Sequence, residues 1–192
     1  MPTNRELFFQ LLKKNNKYLT RLVIKSLLND ANEFMNEIDL YKNFDQEVKN
    51  YDDLMAKIER VENGEPFQYV LGYANFIDRY FEVNSNVLIP RQETEQLVID
   101  LKALLEARFK KTPFVIADIG TGSGAIAVSI KRFFPEATVY GTDIDQNCID
   151  VAADNAGMHN QDVLFIRGDM LEPLIKHEIT VDVIVSNPPY ID

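Results

Sequence analysis

The sequence predicts an α/β protein, a parallel, doubly wound sheet preceded by a small helical bundle and joined to it by a β-hairpin. Three observations carry that expectation. After Pro113 short apolar runs, "FVIADIG", "TVYGTDI", "VLFIRGD" and "VDVIVSN", alternate with amphipathic stretches. Near-continuous apolar strands of this kind suit a sheet covered on both faces, and the alternation gives a parallel sheet with right-handed crossovers. Up to about Val61, by contrast, apolar residues recur at helical spacings with almost no glycine. Between the two regions the chain is aromatic, β-branched and broken by turn residues.

Each element follows in order. "RELFFQLLKK", "LTRLVIKSLLNDAN" and "YDDLMAKIERVENG" read as helices, with Asp52 and Asp53 suited to a helix N-terminus and Gly64 to a stop. They make a helical domain over residues 1–66. "NGEPFQY" supplies turn chemistry. "YANFIDRYFEVNSNVLI" then reads as a hairpin turning around Asp78-Arg79 and Asn84 to Asn86. The hairpin linker is expected over residues 67–90, placed as a hinge or lid. Past Pro90, "QETEQLVIDLKALLEARF" is an amphipathic helix, and helices from about Gly124 to Phe134 and about Gln146 to Met158 separate the strands of a third region, 91–192.

Composition narrows the function classes. The 192 residues are 46% apolar, enough for a sizeable core, and carry a formal charge of -10, which repels a phosphate backbone at long range. Direct DNA binding is therefore not expected, and the basic group Lys13, Lys14, Lys17, Arg21 and Lys25 reads as a solvated helix face. One cysteine, Cys148, and two distant histidines, His159 and His177, give no metal-ligand spacing, so no metal is expected. No secretory leader or membrane span is legible, which makes the cytoplasm the expected compartment.

"ADIGTGSGAIAV" puts Asp118 and the run Gly120, Thr121, Gly122, Ser123 and Gly124 between the first parallel strand and its helix. Glycines there let a ligand approach the backbone closely. A dinucleotide fingerprint runs Gly-x-Gly-x-x-Gly around a pyrophosphate. Here the order is Asp-x-Gly-x-Gly-x-Gly, and an acid before the glycines suits a cationic ligand. Asp143 ends the second strand, where a carboxylate can accept both hydroxyls of a ribose. Asp169 and Met170 end the third, where they can take an adenine amino group and cover its ring, whereas Asp145 and Asp169 taken singly also suit caps or turns. Acids at three successive strand ends describe an adenosine with no phosphate and a positive tail, which is S-adenosylmethionine.

Asn187-Pro188-Pro189-Tyr190 follows the fourth strand, at the crevice where open α/β sheets bind ligands. Two prolines force the chain out of the sheet and leave carbonyls free. The Asn187 side-chain oxygen and the Pro188 carbonyl can hold both hydrogens of an NH2 group, aiming its lone pair at a methyl donor, while Tyr190 packs on the planar group. Fixed acceptors favour the charge that develops on nitrogen, so positioning and electrostatics carry the rate. An adenine NH2 and a carboxamide NH2 fit equally.

"DIGTGSGAIA", "TDID" and "GDML" resemble the cofactor motifs of class I, Rossmann-like methyltransferases. "FQYVLGYANFIDRYFEVNSNVLIPRQETEQLV", followed by those motifs and "VIVSNPPYI", resembles the release-factor glutamine methyltransferases, the HemK/PrmC family, along essentially the whole chain. Gln92 stands where the family usually has a second proline, while Pro90, Arg91, Glu93 and Thr94 match. The resemblance implies methylation of the glutamine side chain in the Gly-Gly-Gln loop of bacterial class I release factors. A sister family acts on a ribosomal protein, and the tetrapeptide is shared with DNA adenine methyltransferases. It also implies Gly120 to Gly124, Asp143, Met170 and Asn187 as cofactor-binding, Asn187 to Tyr190 as substrate-binding, and Arg91 near the site or anchoring the hairpin by an ion pair. The family's sheet has more strands than the four legible here, so the chain reads as a truncated enzyme of weak or no activity, self-associating through the exposed edge of its last strand.

Overall fold

The computed structural model describes residues 1–110 and 112–188 and divides the chain into two compact units, Met1–Gly72 and Tyr73–Asp192. The first is all helical: α1 (Asn4–Lys13), α2 (Arg21–Asn32), α3 (Glu37–Lys42), α4 (Tyr51–Glu62) and α5 (Phe67–Leu71). Side chains close the N-termini of α1, α2 and α3. Thr3 and Glu6 form a reciprocal capping box on α1, and Thr20 and Asn36 cap the next two. Leu7, Leu11, Ile24, Leu27, Leu28, Leu54 and Ile58 form a core at most 1% exposed. Buried in it is a polar pair that sequence periodicity does not show. Asn32 Nδ2 donates to Asn4 Oδ1 (2.9 Å), and Asn4 Nδ2 donates to the carbonyls of Asn43 and Gln46, so the loop after α3 is tied to α1 and α2.

Residues 67–90 do not form one linker. Pro66 leads into the single turn of α5, which buries Val70 in the first core and stops at Gly72 with a left-handed backbone (φ 83°). The hairpin is β1 (Tyr73–Phe76) and β2 (Arg79–Glu82), and it belongs to the second unit. Its turn is Ile77-Asp78, both with positive φ, rather than Asp78-Arg79, and Asn84 to Asn86 make a separate turn after β2. Phe76 and Phe81 meet edge to face and are at most 1% exposed. Burying two such rings stabilises the unit by about 1.5–3 kcal/mol each.

The rest of the second unit runs α6 (Gln92–Phe109), β3 (Val115–Ile119), α7 (Ala125–Phe133), β4 (Thr138–Asp143), α8 (Gln146–Met158), β5 (Leu164–Arg167), α9 (Glu172–Lys176) and β6 (Val183–Ser186). The strands form one sheet of order β5-β4-β3-β6 with every neighbouring pair parallel, the doubly wound arrangement read from the sequence. Alternation along β3 separates two clusters. Ile116 packs with Val98 and Leu105 of α6 and with the hairpin's Phe76 and Phe81, while Ala117 and Ile119 pack with Leu174 of α9. From β3 the chain steps outward through β4 to β5, then crosses to the other side of β3 for β6. The direction of winding reverses there, and the carboxyl ends of β3 and β6 stand side by side, with Ile119 opposite Ser186. Among the described residues β6 pairs only with β3, and Ile184 is half exposed.

Candidate active site

The turn after β3 is built to stay open. Gly120, Gly122 and Gly124 all have left-handed backbones (φ 71°, 53° and 77°), which cost glycine nothing. A side chain at Gly120 or Gly122 would meet nothing within 4 Å, so these two present bare backbone to open space. Gly124 differs, since an added Cβ would lie 3.0 Å from that of Ala152, and it lines none of the described clefts. Its α carbon lets α7 pack closely on α8.

Acids hold this turn from two sides. Asp143 Oδ2 accepts the Gly122 N–H (3.0 Å) and Oδ1 accepts the Asp145 N–H (3.1 Å), so Asp143 shapes the loop as well as lining a cleft. Asp118 is 1% exposed. Its Oδ2 accepts the Thr121 hydroxyl (2.7 Å), and its Oδ1 has no partner among the described residues. Burial pushes its carboxyl up to about 7. The Thr121 hydroxyl and, from outside hydrogen-bonding geometry, the Ala127 amide lower it, and the Asp143 carboxylate raises it.

Two clefts meet here. One of about 360 Å³ is lined by Gly120, Gly122, Asp143, Asp169 and Met170, with Asn187 and Pro188 at the other side, and so brings together most residues expected to hold an adenosine. Met170 sits on it in a left-handed conformation, its backbone carbonyl accepting from the Thr142 hydroxyl (3.0 Å). Thr121 and Ser123 are buried and line a smaller recess with the same glycines. The second cleft, about 610 Å³, is lined by Leu88, Arg91, Glu93, Thr94, Leu97, Asn187 and Pro188. Asn187 lines all three cavities.

Asn187 is placed from both sides. Ser186 donates to the Ile119 carbonyl (2.7 Å), fixing the end of β6 against the start of the glycine turn. Asn187 Nδ2 donates to Thr94 Oγ1 (2.9 Å) on α6, and Oδ1 makes no hydrogen bond among the described residues. Pro188 is exposed beside it. Pro189 and Tyr190, expected to bind substrate, lie outside the described residues. Arg91 lines the larger cleft at the start of α6, with no carboxylate within ion-pair distance among the described residues.

The sequence assigned Asn155 no role. Its Oδ1 accepts the Glu82 N–H (2.7 Å), and its Nδ2 donates to the Glu82 and Ser123 carbonyls (3.0 and 2.9 Å). One fully buried amide thereby ties the hairpin to the glycine turn. His159, which follows α8, adds a 2.9 Å hydrogen bond to the Tyr80 carbonyl, and burial lowers its pKa. Cys148 lines the 360 Å³ cleft, where burial pushes its thiol up to about 11 and keeps it protonated.

The glycine turn, the strand-end acids and Asn187 fall within a sequence match. Residues 97–192 match the methyltransferase small domain family, half of the chain. The chain belongs to that family. It is 43% identical over 135 residues to the release factor glutamine methyltransferase of Staphylococcus aureus, covering 70% of this chain and 47% of the relative. Identity to the enzyme of the same name from Bacillus cereus is 45% over 128 residues, 67% of this chain and 45% of that one. The chain thus spans about half the length of these curated relatives. Among the described residues no helix is long and apolar enough to cross a membrane.

Proposed function

We propose that the protein transfers a methyl group from S-adenosylmethionine to the side-chain amide nitrogen of the glutamine in the Gly-Gly-Gln loop of class I peptide chain release factors. The observation that carries this reading is Asn187. It follows β6 opposite the glycine turn, and its amide nitrogen is occupied by Thr94 while its oxygen has no partner among the described residues. The names of the curated relatives support the choice of glutamine over adenine, as does the acidity of the chain.

The residues fit the cofactor. Gly120 and Gly122 offer bare backbone, and Asp143 and Asp169 line the 360 Å³ cleft with Met170. S-adenosylmethionine supplies an electrophilic methyl group when bound there. The Asn187 oxygen and the Pro188 carbonyl hold the hydrogens of the substrate NH2, so its lone pair faces the methyl. A carboxamide nitrogen is a poor nucleophile because its lone pair is delocalised. Fixed acceptors favour the positive charge that grows on nitrogen during attack.

The test is transfer of labelled methyl from S-adenosylmethionine to a class I release factor, beside a ribosomal protein and a DNA duplex. Label on the release factor, lost in Asn187→Ala, is expected. Label on the duplex or ribosomal protein instead would replace the substrate. Calorimetric titration reads the cofactor half separately: Asp143→Ala, folded by circular dichroism, should bind S-adenosylmethionine at least about tenfold more weakly.

A further inference from the structure

The cleft of about 360 Å³ has two walls that lie far apart in the chain. Asn86 and Leu88 come from the segment that leaves β2, whereas Gly120 and Gly122 come from the turn after β3. Their separation decides what fits between them. Asn155 lines none of the described clefts, yet it holds both walls.

Its partners fix which way its amide points. The Glu82 N–H can only donate and the Glu82 and Ser123 carbonyls can only accept, so Oδ1 faces the first and Nδ2 the other two. Reversing the amide would set donor against donor and acceptor against acceptors. On the glycine side, the Ser123 carbonyl belongs to a peptide whose other end, the Gly124 N–H, bonds to the Thr121 carbonyl (2.9 Å), so that plane is held at both ends. Ala152, three residues before Asn155 on α8, packs where a Gly124 side chain would lie. On the other side α8 grips the chain twice as well. Asn155 holds Glu82 at the end of β2, and the Cys148 thiol donates to the Asn86 carbonyl (3.3 Å) in the cleft wall itself. At 0% exposure the amide has no water to exchange these bonds with, and each one lost leaves a buried backbone group unpaired.

We propose that Asn155 is a positioning residue for the cofactor: from outside the cleft it sets the distance between the two walls, and the affinity for S-adenosylmethionine depends on it. The identity of the ligand rests on the proposed function. Such a dependence runs in both directions, because a contact that favours the binding shape of the cleft is itself favoured by the bound cofactor.

Three substitutions in the intact protein separate this role from simple loss of stability. Asn155→Ala removes all three bonds, while Asn155→Asp keeps an acceptor for the Glu82 N–H and turns a carboxylate toward the two carbonyls. Leu105→Ala truncates the core of the same unit at a residue that lines none of the described clefts. For variants folded by circular dichroism, titration with S-adenosylmethionine should give a Kd about tenfold higher for both Asn155 variants and within about twofold of the parent for Leu105→Ala. In the transfer assay the Asn155 variants should show a raised KM for S-adenosylmethionine with kcat at saturation within about twofold of the parent. A further readout needs no variant. In the parent, saturating S-adenosylmethionine should slow hydrogen exchange at the Glu82 amide more than at the Ile77 amide, which Glu95 of α6 holds instead. A parent-like Kd in folded Asn155→Ala, an equal loss in Leu105→Ala, or equal slowing at the two amides would each overturn the inference. A parent that binds no S-adenosylmethionine would overturn the proposed cofactor and this role with it, whereas binding that ignores Asn155 would overturn this role alone.

Discussion

Asp118 shows what one buried acid beside the site does to the whole protein. Its carboxyl titrates near 7 when folded and near 3.8 otherwise, so between those values the folded chain holds a proton that the unfolded chain has released. Stability is then lost as pH rises from about 4 to about 7 and is level on either side, a span of about 4 kcal/mol at the upper limit. Denaturation measured across that window should slope downward for the parent and much less for Asp118→Asn, and parallel curves would contradict this. The glycine turn was legible because its order in the chain is itself the signal, whereas Asp118, read as an acid suited to a cationic ligand, is 1% exposed and lines none of the described clefts. The hydrogen bond from Asn187 to Thr94 was not legible, because the two lie 93 residues apart and no local pattern links a helix's first turn to a strand's end.

Packing between elements is where the sequence said least. The hairpin was legible from its aromatic and β-branched runs, but its turn was displaced by one residue. No turn rule chooses isoleucine for a left-handed position, yet Ile77 has φ 46°. The strain is met from outside the hairpin, since Glu95 of α6 accepts the Ile77 N–H (2.9 Å) and Arg132 of α7 donates to its carbonyl (3.4 Å). Asn155 is the other clamp. Asn155→Ala strands the two backbone groups of Glu82 and the Ser123 carbonyl, and should cost about 3 kcal/mol and speed hydrogen exchange at the Glu82 amide. Unchanged exchange there would show that Asn155 does not hold the hairpin. In the sheet, Gly141→Ala would put a methyl 2.6 Å from the Phe165 ring and should lower stability by about 1–3 kcal/mol in thermal unfolding.

At the scale of the molecule, the change from helical spacing to alternating strands and helices marks two bodies, and each has its own core. The segment Met1–Gly72 alone should therefore keep a helical circular dichroism spectrum and melt cooperatively. A coil spectrum would mean that the first core depends on the second unit. The parallel, doubly wound arrangement was legible from the alternation of strands and helices. It places the glycine turn and Asn187 at one reversal of winding, and the shared cleft follows from that topology and not from any one motif. The most direct measurement is tandem mass spectrometry of the release factor after incubation with the protein and S-adenosylmethionine. A single methyl on the side-chain amide of the Gly-Gly-Gln glutamine, absent with Asn187→Ala, is the expected result. A methyl on another residue, or an unaltered yield with Asn187→Ala, would contradict the central role given to that amide.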